Sequence, residues 1–297
     1  MRHNAAPSDA GAPPRDATAG EIYAESKSIY RRNMGTCVCI FLAAQGVVII
    51  GAGVVAGLGH VKLPSVLGGV LVGLRGRAAG DMLGVALYTA LGIAQGVMSV
   101  VVTADLVGRR VTAPGAFVVV WPVMGRLAGT AFITSVLLGA GFKAYGLPAL
   151  ALYVVFYAAV PAAVVEARNP LRAIQRSWQI VSTRPFGPPE RRRMLGRTVY
   201  LAVAGVLGLM WATVPVMLVQ AGAIALARLA PVSMRADLTA LIGGPLAGGI
   251  LIAVGVAIVY PIFSVAHTVL YYDVVILHEG YDVAALARPV SPAKPMG

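Results

Sequence analysis

Negative charge is scarce in this chain. Only 12 of its 297 residues are Asp or Glu, and charged residues of both signs make up 12% of it, against roughly a quarter in ordinary soluble domains. Cysteine is nearly absent. Cys37 and Cys39 stand two apart, a spacing at which side chains on a helix diverge, and a metal site would need further ligands close by. They read as small core residues. Also missing are the spacings of known catalytic centres, with no Gly-x-Ser-x-Gly, no His-Glu-x-x-His and no paired aspartates inside an apolar run. A net charge of +12 without any nucleic-acid-binding motif does not point to nucleic acid. Neither an enzymatic role nor a cofactor or metal is expected.

What is present is apolar surface, 58% of residues, with the charges confined to gaps between long hydrophobic runs. A helix rises 1.5 Å per residue, so about 20 apolar residues cross a hydrocarbon core about 30 Å thick. Six runs are candidates: Cys37 to Ala56, Met82 to Ala104, the shorter Leu127 to Gly141, Leu147 to Val165, Val199 to Ala227 and Leu238 to Leu270. Pro148 falls in a first turn, where its missing N–H is harmless, while Pro245 and Pro261 predict kinks in the sixth run. The expected fold is an all-α, polytopic transmembrane helical bundle of six spans with interfacial amphipathic helices.

Six spans place both termini on one side, and Lys/Arg counts identify it. The first tail, the second and fourth loops and the last tail hold 18 of the 24 basic residues, so both ends are expected to be cytoplasmic, in a bacterial cytoplasmic (inner) membrane. Residues 1–20 are rich in Ala, Pro, Gly and Asp and are expected to be a disordered tail. Residues 21–35 place Ile22, Tyr23, Ile29 and Tyr30 among charges, as in a helix lying at the interface. The bundle is assigned to 36–275 and a cytoplasmic tail to 276–297. No cleavable signal precedes the first span, which is expected to act as its own targeting element.

Thirty-five glycines fit close helix packing. Gly53/Gly57, Gly92/Gly96 and Gly244/Gly248 are each four apart, the spacing that lets helix backbones approach in lipid, within the bundle or across a dimer face. Leu67 to Gly80 is apolar but too short to cross, and reads as a surface-lying or re-entrant segment. The starts of the odd-numbered spans (RRNMGTCVCI, MGRLAGTAFI, RRRMLGRTVYLA) share a basic group and Met followed by Gly and Thr; three parallel hairpins or a shared positive-inside bias would each produce this.

Two segments carry most of the polar character. In VPAAVVEARNPLRAIQRSWQIVSTRP, Glu166 closes the fourth span, then Asn169 and Pro170 open a helix with an apolar stripe of Leu171, Ile174, Trp178 and Ile180. Trp178 is its expected interface anchor. In YPIFSVAHTVLYYDVVILHEGYDVAALA, Tyr271 and Tyr272 fit the headgroup belt, and Asp273, Glu279 and Asp282 add acidic charge.

The Ala173, Arg176, Ser177, Trp178 helix after an acidic span end, with a last span running into Tyr271-Tyr272-Asp273 and Glu279-Gly280-Tyr281-Asp282, resembles the membrane domain attached to some bacterial glycerophosphoryl diester phosphodiesterases. The SIYRRN stretch and the Gly108-Arg109-Arg110 turn extend the resemblance over about residues 26–286. Val275 to His278 departs from it, because relatives carry an Arg before the Glu-Gly pair. In that family hydrolysis belongs to a separate soluble barrel, so the resemblance implies a membrane domain and no established activity for it.

The charges at the cytoplasmic end admit two readings. Asp105, Glu166, Asp273 and Glu279 can meet Arg109, Arg172 and Arg176 in an ion-pair network that docks helices, since half-buried charges persist only when paired. Alternatively, Arg110, Arg172 and Arg176 form a site for an anionic headgroup or phosphate at a helix start. Glu166, Asp273, His278 and Glu279 offer metal-type ligands without a recognisable spacing. Arg191, Arg192, Arg193 and Arg197 form a patch attracted to anionic inner-leaflet headgroups by about 1 kcal/mol each. Gln45, Gln95, Gln220 and His267 are lone polar groups in or near spans, His267 being a candidate proton relay or an ordinary backbone-bonded histidine. The expected function is a non-catalytic module that interacts with membrane lipids or organises a membrane-protein partner. The alternative is a transporter or permease-like carrier of a small molecule or lipid, which would show a polar, water-accessible cavity between spans.

Overall fold

The computed structural model describes residues 18–58, 77–143, 147–166, 168–182, 196–197, 199–200, 203, 218, 221–226 and 245–279. Among these, all regular structure is helical. The helices are α1 (Ala19–Arg32), α2 (Met34–Leu58), α3 (Arg77–Leu106), α4 (Ala113–Val120), a 3-10 turn (Trp121–Val123), α5 (Met124–Lys143), α6 (Leu147–Phe156), α7 (Ala159–Val165), α8 (Pro170–Ser182) and α9 (Pro245–Glu279). Among the described residues, four stretches are long and apolar enough to cross a membrane: Met34–Gly51, Gly84–Leu106, Ala113–Gly141 and Val254–Val275, with mean hydropathy from 1.6 to 2.1.

Helix ends follow local chemistry. Thr18 and Glu21 form a capping box that starts α1 at Ala19, two residues before the end of the expected tail. After α3, Gly108 takes a positive φ of 73°, the Gly108 amide donates to the Asp105 carbonyl at 3.0 Å and the Arg109 amide to the Ala104 carbonyl at 2.8 Å. This is the Schellman stop, and only glycine adopts that backbone without strain. Asn169 caps α8 by accepting from the Arg172 amide at 2.9 Å, with Pro170 at the first helical position.

At the centre stands α3, which packs against α2, α5, α7 and α9. Its contact with α5 is made possible by glycine. A Cβ on Gly92 would lie 2.8 Å from the Ala131 Cβ, and one on Gly96 would lie 2.5 Å from a Leu127 methyl. The surface between α3 and α9 is lined by small hydroxyls, with Ser99 and Thr268 at 3.2 Å and the Thr103 and Tyr272 hydroxyls also bonded. Ser99, Thr103 and Thr268 each donate to the carbonyl four residues back, so these three hydroxyls are satisfied.

Several boundaries differ from the sequence expectation. The fourth run is not one helix. Pro161 removes the amide that would bond the Tyr157 carbonyl, and the chain breaks between α6 and α7 at residues 157–158. The third run is longer than expected, because apolar α4 precedes α5 to give Ala113–Gly141. The sixth run is described from Pro245, so its expected start at Leu238 and the kink expected at Pro245 lie at or outside the edge of the described residues; α9 runs on to Glu279, past the expected bundle end at 275. Pro261 lies inside that helix, and the Tyr30 hydroxyl donates to the Ile258 carbonyl in the turn before it at 2.7 Å. Instead of lying at the interface alone, α1 buries Ile22, Ser26 and Ile29 and packs against α9. Leu67 to Gly76, most of the fifth run, Gly244 and residues 280–297 lie outside the described residues.

Candidate functional site

The polar groups gather at one end of the bundle, where α3, α7 and α9 finish and α8 packs against α7. Three carboxylates there are engaged by three different segments. Asp105, at the end of α3, accepts from Arg32 Nε at 3.3 Å and from Asn33 Nδ2 at 2.8 Å. Glu166, directly after α7, accepts from Arg176 Nε at 3.0 Å and also from Arg168 and the Tyr271 hydroxyl. Asp273 of α9 pairs with Arg197 at 3.3 Å.

The Glu166 cluster is the most enclosed. The Glu166 and Arg176 side chains are 11% and 12% exposed, whereas Arg168 is 37% exposed. Burial alone would raise the Glu166 carboxyl, but the Tyr271 hydroxyl and the guanidinium groups of Arg176 and Arg168 outweigh it and hold the carboxyl below its ordinary range. A carboxyl depressed in the folded state stabilises the fold fully above its unfolded value, about 4.5, and loses that contribution as pH falls further. The melting temperature in detergent is therefore expected to drop below about pH 4.5, with Glu166→Gln removing part of the drop.

Beside Arg176, Ser177 repairs the broken span. Its hydroxyl donates to the Val155 carbonyl at 2.6 Å and accepts from the Ala158 amide at 3.2 Å, satisfying backbone groups at the break between α6 and α7. Trp178 then points outward, 54% exposed, with Leu171 on the same helix 72% exposed. The Arg-Ser-Trp triplet thus divides its labour: Arg176 grips the span's closing carboxylate, Ser177 fills its backbone gap, and Trp178 faces out. Ser177→Ala is expected to cost about 1–3 kcal/mol, the penalty for stranding buried backbone polar groups, read as a lowered unfolding midpoint in detergent.

Some candidates stand elsewhere than expected. Tyr271 and Tyr272, expected in the headgroup belt, are buried inside the bundle, 0% and 2% exposed, because their hydroxyls find Glu166 and Thr103. Asp105 takes its hydrogen bonds from Arg32 and Asn33, not from Arg109 or Arg110; both of these are exposed, and Arg110 acts on Asp105 only through space. Arg172 is exposed on α8, whereas Arg176, one turn further on, pairs with Glu166. Glu279 is the last residue of α9. Arg191, Arg192 and Arg193 lie outside the described residues. Among the described residues no group of three His, Cys, Asp or Glu side chains could hold a metal ion. Reading the sequence missed Arg32, Asn33 and Ser177 as partners.

Two further features lie inside the spans. His267 is 2% exposed, bonded to the backbone of Phe263 and placed edge-on to Tyr153 with centroids 5.4 Å apart. Its Nε2, the Ser264 hydroxyl and the Gln45 amide nitrogen are buried without a hydrogen-bond partner among the described residues. Separately, an open groove of about 900 Å³ runs between α2, α3, α4 and α5, lined by Ala, Val, Ile, Met and Phe with Thr89 as its one hydroxyl. No family model, no curated protein and no solved structure matches this chain.

Proposed function

We propose that the chain is a non-catalytic, lipid-interacting module of a bacterial cytoplasmic membrane, with six spans, both termini cytoplasmic, and the character of the phosphodiesterase-associated membrane domain that its Arg-Ser-Trp and Tyr-Tyr-Asp motifs resemble. The observation that carries this reading is the engagement of Asp105, Glu166 and Asp273 by arginines from other segments. Carboxylates held in this way lock helices together and are not poised for acid–base chemistry. The cavity chemistry points the same way, since the groove between spans is apolar. Exposed Trp178 and Leu171 on α8 supply an interfacial anchor, and exposed Arg110 and Arg172 supply positive charge for anionic headgroups or a membrane-protein partner.

Mild extraction followed by native mass spectrometry tests this. Anionic phospholipid is expected to remain bound, and Arg110→Glu with Arg172→Glu to reduce its retention while leaving the melting temperature near that of wild type. Recovery of the protein free of lipid, with no stabilisation on adding anionic phospholipid, overturns the reading. A carrier is the second reading, favoured by buried, partly unsatisfied His267 and Ser264 in the bundle interior. It requires a solute whose uptake into vesicles is lost in His267→Ala.

A further inference from the structure

Ser264 and His267 stand three residues apart on α9, a spacing that places them on one helix face. They are 1% and 2% exposed and lie within the span Val254–Val275. Among the described residues neither the Ser264 hydroxyl nor His267 Nε2 has a hydrogen-bond partner. Other hydroxyls of the spans are committed to their own helix: those of Ser99, Thr103, Thr130, Ser135 and Thr268 each donate to the carbonyl four residues back. Ser264 departs from that pattern. The imidazole is fixed from its other side, because it bonds the backbone of Phe263 one turn before, and with Nε2 unbonded that contact falls to Nδ1. Nδ1 therefore holds the proton and Nε2 presents a bare lone pair.

The two groups are spaced to meet one atom. Residues three apart on a helix have Cβ atoms about 5–6 Å apart, so a single atom can lie within hydrogen-bond reach, about 2.7–3.2 Å, of both polar tips. The Tyr153 ring stands edge-on to the imidazole at 5.4 Å, and the Tyr157 ring, at the break after α6, is tilted to it at 6.0 Å. Among the described residues no charged side chain acts on His267, and no group of three His, Cys, Asp or Glu side chains could hold a metal ion. A bound cation or a protonated imidazole there would be uncompensated. An anion fits no better, because Nε2 offers it only a lone pair. We propose that Ser264 and His267 form a two-point site for one neutral O–H or N–H group, which donates to His267 Nε2 and accepts from the Ser264 hydroxyl. That group comes from a resident water or from the polar end of a small uncharged solute. The site goes beyond the lipid-module reading, which a water leaves intact, while a solute gives the carrier reading its ligand class.

Nitrogen NMR of the full chain in nanodiscs of phosphatidylcholine and phosphatidylglycerol tests this, with His3, His60 and His278 replaced by Gln so that His267 is the only isotope-labelled imidazole. A neutral ring protonated at Nδ1 is expected, its Nε2 resonance moved upfield from the position of an unbonded acceptor. Magnetisation transfer from water protons to the ring identifies water as the donor; the same displaced resonance without that transfer identifies a solute. Ser264→Ala is expected to return Nε2 toward the unbonded position. Ser264→Cys, which keeps the size of the group but bonds more weakly, is expected to return it part of the way and is the second variant in case the first fails to fold. Tyr157→Phe is expected to leave the resonance displaced. An unbonded Nε2 with Ser264 intact, an imidazolium at neutral pH, no response to either Ser264 substitution, or loss of the bond in Tyr157→Phe overturns the proposal. A water-bonded ring in a chain that takes up no solute removes the carrier reading and keeps the site.

Discussion

Glu166→Ala is expected to lower the stability of the bundle by about 3–5 kcal/mol, the usual cost of removing one partner from a buried ion pair. The deleted carboxylate receives Arg176 from α8, Arg168 from the connecting turn and the Tyr271 hydroxyl from α9, so one substitution loosens three segments. Position in the cluster ranks the variants. Arg176→Ala removes a guanidinium that is only 12% exposed and is expected to approach the same loss, whereas Arg168, 37% exposed, is expected to contribute less than about 1 kcal/mol. Thermal unfolding in a fixed detergent measures all three, and a Glu166/Arg176 double-mutant cycle isolates their coupling. An unchanged melting temperature in Arg176→Ala together with weakened anionic-lipid binding would replace the structural lock with a headgroup site.

Gly92→Leu is expected to separate α3 from α5 and to unfold the bundle at a temperature well below that of wild type. A Cβ at this position would already sit 2.8 Å from the Ala131 Cβ and 3.3 Å from its Cα, and neither atom can rotate away. Gly92→Ala is expected to cost about 1–3 kcal/mol, the range for overpacking a filled core. Ala131→Gly in the same chain should return most of it. Gly96→Ala is expected to be milder, because the obstructing atoms belong to the mobile end of Leu127. Gly46→Ala is a useful contrast: nothing lies within 4 Å of its would-be Cβ, and alanine favours a helix over glycine by up to about 1 kcal/mol. A series in which Gly46→Ala and Gly92→Ala behave alike would contradict close α3–α5 packing.

Apolar run length made much of the helical architecture legible, since a run of about 20 residues without charge has few fates other than a membrane helix. The N-cap of α8 was legible for the same local reason, an Asn followed by Pro ahead of an apolar stripe. Proline inside a run was harder to weigh. The fourth run breaks at residues 157–158, and the Val155 carbonyl and Ala158 amide there are answered by Ser177, about twenty residues beyond the break; a partner supplied by tertiary packing leaves no local pattern. Helix α9 instead continues through Pro261. The tyrosine pair shows the same limit: an aromatic belt and a buried hydroxyl pair look alike in sequence, and only the positions of Glu166 and Thr103 decide between them. Pairing of Asp105 with Arg32 instead of its neighbours Arg109 and Arg110 likewise depends on how α1 and α2 return to the end of α3.

Hydrocarbon as the solvent of the bundle's waist is tested most directly by thiol accessibility in intact cells, with Cys37 and Cys39 replaced and single cysteines placed at Val47, Arg110, Lys143 and Leu171. A membrane-impermeant maleimide is expected to label Lys143→Cys from outside, to label Arg110→Cys and Leu171→Cys only after the membrane is opened, and to leave Val47→Cys unlabelled in both states although its side chain is 74% exposed in the protein. Ready labelling of Val47→Cys, or labelling of Arg110→Cys and Lys143→Cys from the same side, would contradict the account.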